Sequence, residues 1–261
     1  MTRINMGRLL RKGRALFLAY DQGLEHGPRD FNARNVDPEY IMHIALEGGY
    51  TGVIVQPGIA EKYWTGAYKD VPLIIKLNGK TNLAKIDPIS RQTCSVERAI
   101  KLGASAVGYT IYDGSANEPT IFQEFGRIVE EAHDYGISVI AWMYPRGGNI
   151  NELDNEVLAY SARVGLELGA DMVKMKYNGD LENFRWMVRC AGRTRILVAG
   201  GEKMDPHEFL NEAHALVNAG ALGIAVGRNV WQSDQPFSVS KALKSVVIDR
   251  VPPLEAMRHV K

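Results

Sequence analysis

Absences narrow this chain first. Its 261 residues include only two cysteines, Cys94 and Cys190, which form neither a disulfide framework nor a metal-ligand spacing. No apolar run approaches the roughly 20 residues that cross a bilayer as a helix. The basic, polar segment Met1 to Arg14 leads into the apolar run Ala15–Tyr20, which is too short for a signal peptide. Charge of one sign is also missing. The 31 Lys and Arg against 30 Asp and Glu leave a net +1, which gives no electrostatic case for nucleic acid or an anionic membrane. No Gly-x-Gly-x-x-Gly follows the first apolar run, so the mark of an open dinucleotide-binding sheet is absent. A soluble cytoplasmic protein is the expectation.

What is present is a repeated unit: an amphipathic segment, a Gly-containing turn, then a short apolar run ending in polar residues. The apolar runs are Ala15–Tyr20, Gly52–Val55, Leu73–Leu77, Ala106–Thr110, Ser138–Trp142, Met172–Lys176, Arg195–Ala199 and Gly223–Val226. Helical patterns lie between most of them, at Pro38–Glu47, Val96–Leu102, Glu118–His133, Glu152–Leu168, Leu181–Ala191 and Pro206–Ala219. Gly48-Gly49, Gly103, Gly136, Gly169 and Gly220 stand where a left-handed helix cap is wanted. Alternating strands and helices argue a parallel sheet, and eight units in about 250 residues is the arithmetic of a (β/α)8 TIM barrel. The expectation is one α/β domain over 1–261, with an N-terminal extension at 1–14 and a C-terminal tail at 251–261. The stretch between Gly52 and Leu73, with Tyr63, Trp64 and Tyr68, gives no clean helical pattern.

In such a barrel the functional residues stand at the C-terminal ends of the strands. Those ends read Asp21-Gln22-Gly23-Leu24-Glu25-His26-Gly27-Pro28, Lys76-Leu77-Asn78-Gly79-Lys80, Trp142-Met143-Tyr144-Pro145-Arg146-Gly147-Gly148, Ala199-Gly200-Gly201-Glu202-Lys203 and Gly227-Arg228-Asn229. Glycines after the seventh and eighth strands expose backbone N–H groups, the usual barrel phosphate site, with Arg228 as a charged clamp. Arg146-Gly147-Gly148 offers a seat for a second anionic group.

The sixth strand end is the chemical centre. In Met172-Val173-Lys174-Met175-Lys176 the two lysines fall on one face of the strand. A desolvated lysine beside another cation loses basicity and becomes a nucleophile for carbonyl carbons. With a phosphate site nearby, this points to Schiff-base chemistry on a phosphorylated carbonyl compound, with Lys174 or Lys176 as the amine. Asp21 supplies a carboxylate for proton transfer, and Tyr144 supplies an acid/base whose pKa nearby lysines would lower. Trp142, two residues before Tyr144, shares its inward face and walls the carbonyl site. Lys76 reads as an inward layer residue or a secondary cation.

Taken together, these strand ends, with Leu77-Asn78-Gly79-Lys80-Thr81, Lys174-Met175-Lys176-Tyr177 and Gly223-Ile224-Ala225-Val226-Gly227-Arg228-Asn229, resemble the archaeal-type class I fructose-bisphosphate aldolases of the DhnA/DeoC-like group. The resemblance runs from about Ala15 to Trp231. It implies reversible cleavage of fructose 1,6-bisphosphate to dihydroxyacetone phosphate and glyceraldehyde 3-phosphate, without metal or cofactor. It makes Lys174 the Schiff-base lysine, Tyr144 the proton donor and Asp21 the active-site aspartate. Substrate contacts then fall on Gln22, His26, Asp30, Trp142, Arg146, Lys176, Ala199, Gly200, Gly201, Gly227 and Arg228. Gln22 stands where relatives often carry histidine, and Ala199 where they often carry serine. The resemblance also implies a homo-oligomer, often a decamer.

Three rivals remain. One keeps the lysine but changes the substrate, as in 2-amino-3,7-dideoxy-D-threo-hept-6-ulosonate synthases or autoinducer-processing thiolases. A zinc-dependent aldolase needs clustered histidines at strand ends, and of His26, His43, His133, His207, His214 and His259 only His26 lies at one. A sugar-phosphate binding protein would use the lysines as clamps and form no covalent adduct.

Overall fold

The computed structural model describes residues 6–260. The first five residues of the expected N-terminal extension and the last residue of the tail lie outside them. Eight parallel strands close into a ring, β1 (Ala15–Ala19), β2 (Gly52–Val55), β3 (Leu73–Lys76), β4 (Ala104–Ile111), β5 (Ser138–Met143), β6 (Met172–Met175), β7 (Arg195–Ala199) and β8 (Gly223–Val226). Strands pair in sequence order, and β8 returns to β1 through Ala15↔Gly223 and Phe17↔Ala225. This is the expected (β/α)8 barrel. Among the strands the largest change of boundary is in β4, which begins at Ala104 rather than Ala106.

Two concentric layers of side chains follow from the period of two along each strand. Leu16 and Leu18 point outward into the shell between sheet and helices, whereas Ala15, Phe17 and Ala19 point inward with Ile74, Ile140, Met172 and Leu197. Both faces are buried, so the strands read as continuous apolar runs.

The surrounding helices begin at caps the sequence spells out. Asp37, Ser95, Asp154, Asp180 and Asp205 accept backbone N–H groups at the starts of α2 (Pro38–Glu47), α4 (Val96–Lys101), α6 (Asn155–Glu167), α7 (Leu181–Cys190) and α8 (Pro206–Asn218). The remaining helices are α1 (Gly23–His26), α3 (Pro57–Tyr63), α5 (Glu118–Asp134), α9 (Arg228–Trp231), α10 (Pro236–Val247) and α11 (Pro253–Ala256). Gly169 and Gly220 end α6 and α8 at φ +85° and +116°, a region that favours glycine.

The irregular stretch after β2 holds α3, started by Pro57, and a 3₁₀ segment at Gly66–Asp70. Trp64 anchors it by donating its Nε1–H to the Val71 carbonyl at 2.9 Å. Leu9, in a 3₁₀ turn before β1, is fully buried among the inward-pointing residues, so this part of the extension plugs the barrel. In the tail, Pro253 and Ala256 of α11 are buried too. No helix among the described residues is long and apolar enough to cross a membrane.

Candidate active site

Continuing the inward face past the ends of the strands builds the site. Ala19 leads to Asp21, Ile74 to Lys76, Ile140 to Trp142 and Tyr144, Met172 to Lys174, Leu197 to Ala199, and Ala225 to Gly227. All these end residues line a single cavity of about 580 Å³ at the C-terminal end of the barrel.

Trp142 is its floor. The indole is 1% exposed and lies against Gly108 of β4, where an added Cβ would come within 1.9 Å of the ring. Two ammonium groups approach it, with Lys174 Nζ 5.2 Å and Lys76 Nζ 5.3 Å from the ring centroid. Both lysines are only 6% exposed. Burial lowers the Lys174 pKa from its ordinary value, with Asp21 opposing. Burial also brings Lys76 down to about 8, helped by the charge of Lys174 and opposed by Asp21 and Glu25. The cation beside Lys174 is therefore Lys76 from β3, in the role of secondary cation. Lys176 lies just past the end of β6 and turns toward the mouth, where its ammonium pairs with Glu152.

One electrostatic expectation is corrected. Nearby lysines do not lower the Tyr144 pKa. Burial raises it most, Asp21 adds to the rise, and Arg146 opposes it. The phenol is held protonated. The Arg146 guanidinium carbon sits 5.2 Å from the Tyr144 ring centroid and 5.8 Å from that of Tyr112.

The mouth carries charges that sequence reasoning missed. Arg146 Nε donates to Glu152 Oε2 at 2.9 Å, and its terminal nitrogen lies 3.5 Å from Glu25 Oε1. Glu25 is also 3.8 Å from Lys80 Nζ. Burial alone would raise the Glu152 pKa, but hydrogen bonds from Lys176 and Arg146 hold it below the usual carboxylate value. Glu152 was expected inside a helix. Asp154 instead caps α6, accepting from Glu156 and Val157, and this leaves Glu152 in the preceding loop.

Across the cavity, the turns after β7 and β8 are sewn together by Asn229. Its buried amide donates to the carbonyls of Gly200 (2.5 Å) and Glu202 (2.8 Å), and its oxygen accepts from Met204 N–H at 2.8 Å. Gly227 sits so close to β1 that a Cβ there would meet the Ala19 carbonyl oxygen at 3.0 Å. Arg228 opens α9 at the same rim.

Asp21, Gln22, His26, Trp142, Tyr144, Arg146, Lys174, Lys176, Ala199, Gly200, Gly201, Gly227 and Arg228 thus share one cavity. Asp30 does not line it. Its carboxylate holds the His26 Nδ1 at 2.6 Å instead. Gln22 Nε2 and Trp142 Nε1 are buried without a hydrogen-bond partner among the described residues. Asn78, singled out in sequence, is an internal brace, joined to Ser90 and Thr110 at 2.8–3.0 Å. Among the described residues no three His, Cys, Asp or Glu side chains gather as a metal set.

Known proteins share this architecture. The chain is 50% identical over 241 residues to a class 1 fructose-bisphosphate aldolase of Thermoproteus tenax, covering 91% of this chain and 90% of that one. It is 35% identical to a 2-amino-3,7-dideoxy-D-threo-hept-6-ulosonate synthase of Archaeoglobus fulgidus, covering 98% and 95%. A solved archaeal fructose-1,6-bisphosphate aldolase, whose catalytic Lys is covalently bound to the carbinolamine intermediate, superposes with a TM-score of 0.89 at 48% identity, covering 93% of this chain and 97% of that one. The model of the DeoC/LacD family aldolases matches residues 15–233, and the chain belongs to that family.

Proposed function

We propose that this chain is a class I fructose-bisphosphate aldolase, reversibly cleaving fructose 1,6-bisphosphate to dihydroxyacetone phosphate and glyceraldehyde 3-phosphate in the cytoplasm, in glycolysis or gluconeogenesis. The observation that carries the reading is Lys174: a buried lysine of lowered basicity, over an indole, between two anion-ready rims of one cavity. The free amine attacks C2 of the open-chain ketose, and the carbinolamine loses water to a protonated imine. That imine accepts the electrons of the C3–C4 bond as the aldehyde leaves, giving an enamine. Protonation at C3 and hydrolysis then release dihydroxyacetone phosphate and restore Lys174.

Asp21 relays protons during imine formation and hydrolysis. In condensation Tyr144, kept as a phenol by burial, gives its proton to the C4 oxygen as the bond forms and is left a phenolate; cleavage runs this step in reverse, the phenolate taking the C4 hydroxyl proton and passing it to C3 of the enamine. The backbone N–H groups around Gly200, Gly201 and Gly227, with Arg228, hold the phosphate near C1. Arg146 and Lys176 hold the phosphate at C6. His26, fixed by Asp30, and the unpaired amide of Gln22 meet sugar hydroxyls. Ala199 contributes only backbone, where a hydroxyl side chain would add one more donor. The reaction as drawn needs no cofactor.

Assembly into a homo-oligomer, up to a decamer, belongs to the same proposal. Exposed Tyr160 and Trp186 on the adjacent helices α6 and α7 support an outer contact face. The test of the activity is cleavage of fructose 1,6-bisphosphate in EDTA, with both triose phosphates measured. Activity that persists in EDTA and is destroyed by borohydride only when substrate is present supports the reading. Activity abolished by EDTA, or indifferent to borohydride, refutes it.

A further inference from the structure

Five charged side chains from four loops cross the mouth of the cavity with alternating sign: Lys176, Glu152, Arg146, Glu25 and Lys80. Glu152 is the only one of them paired to two cations of the proposed C6 rim. One of its oxygens bonds Lys176, and the other accepts from Arg146 Nε at 2.9 Å. A carboxylate bridging an ammonium and a guanidinium makes the contacts that a phosphate would make there, through two oxygens instead of three.

We propose that Glu152 determines specificity as an internal competitor, its carboxylate occupying the seat of the second phosphate and giving way when that phosphate arrives. This rests on the aldolase reading above, which assigns Arg146 and Lys176 to the C6 end. A phosphate dianion has the charge and the oxygens to displace a carboxylate from these two cations. A neutral C6 hydroxyl has neither, so a monophosphorylated sugar binds with Glu152 in place. The local chain permits the exchange. Glu152 lies in the loop between β5 and α6, downstream of Gly147 and Gly148 at positive φ. Its side chain is 31% exposed, so once displaced it reaches water without crossing the core. On product departure it returns to the cations, which lowers the cost of releasing the phosphorylated aldehyde.

The test compares the wild type with Glu152→Gln, which keeps the shape and removes the charge. Inorganic phosphate is titrated into each protein by calorimetry. The specificity ratio, kcat/KM for fructose 1,6-bisphosphate over kcat/KM for fructose 1-phosphate, is measured in parallel. Both phosphate affinity and the ratio should rise by roughly three- to tenfold, the scale of one partly exposed ion pair. A ratio or an affinity that stays the same or falls overturns the proposal and makes Glu152 a support for the two cations. If the wild type cleaves neither sugar, the aldolase reading fails, and the phosphate titration alone decides whether Glu152 competes for the seat.

Discussion

Lys76 and Lys174 converge on one indole from strands β3 and β6, their ammonium nitrogens 5.3 and 5.2 Å from the centre of Trp142. The ring attracts each cation, while burial favours loss of a proton from both and the charge of Lys174 adds to that at Lys76. A nucleophilic amine needs that loss near neutral pH. The arrangement explains why a barrel that could fill its centre with apolar side chains carries two lysines there.

The cost of the second lysine gives the first prediction. Lys76 has a native pKa of about 8 against an ordinary 10.5. Between those values the unfolded chain binds more protons than the native one, so stability rises with pH across the window. Below pH 8 the buried charge is a full burden; above about 10.5 it is gone. Unfolding by denaturant, compared between wild type and Lys76→Met, should show the wild type gaining about 3 kcal/mol on the variant from pH 8 to 10.5.

Tyr144 provides the second. Burial and Asp21 raise its pKa, so it holds its proton through the working pH range. Tyr144→Phe should still form the Schiff base yet lose about 10²- to 10⁴-fold in kcat, the usual weight of a positioned acid/base. Single-turnover measurements separate the two steps. A variant that forms no adduct would move Tyr144 to an earlier step.

Asn229 provides the third. Its one amide satisfies the Gly200 and Glu202 carbonyls and the Met204 N–H. Asn229→Ala strands these backbone groups, a loss of about 1–3 kcal/mol in unfolding free energy. The turn after β7 then loosens, and KM for dihydroxyacetone phosphate in the condensation should rise by about three- to tenfold. Stability that falls with KM unchanged would detach this turn from phosphate binding.

How far the sequence revealed all this depends on the range of each interaction. The strands, the glycine caps and the inward residues Asp21, Trp142, Tyr144 and Lys174 follow from a period of two and a repeated turn, both local properties. Lys76 was visible as a residue but not as the neighbour of Lys174, since β3, β5 and β6 meet at Trp142 only after the ring closes. Glu25 stood in a polar strand end with no role given to it, and Glu152 was placed at the start of a helix. The signal available for Glu152 was Asp154, whose cap at Glu156 and Val157 starts α6 at Asn155 and frees the preceding residues. For Asp30 the family resemblance implied a substrate contact, and the structure places its carboxylate on His26 rather than on the cavity wall.

Of the four lysines that line the cavity, Lys174 is the one that forms the covalent bond. Incubating the protein with dihydroxyacetone phosphate, reducing with borohydride and mapping peptides by mass locates that bond directly. A single reduced adduct on Lys174 is expected, formed equally in EDTA and missing from Lys174→Met together with all cleavage. A label on Lys76, Lys80 or Lys176, or an unmodified Lys174 peptide, would overturn that assignment.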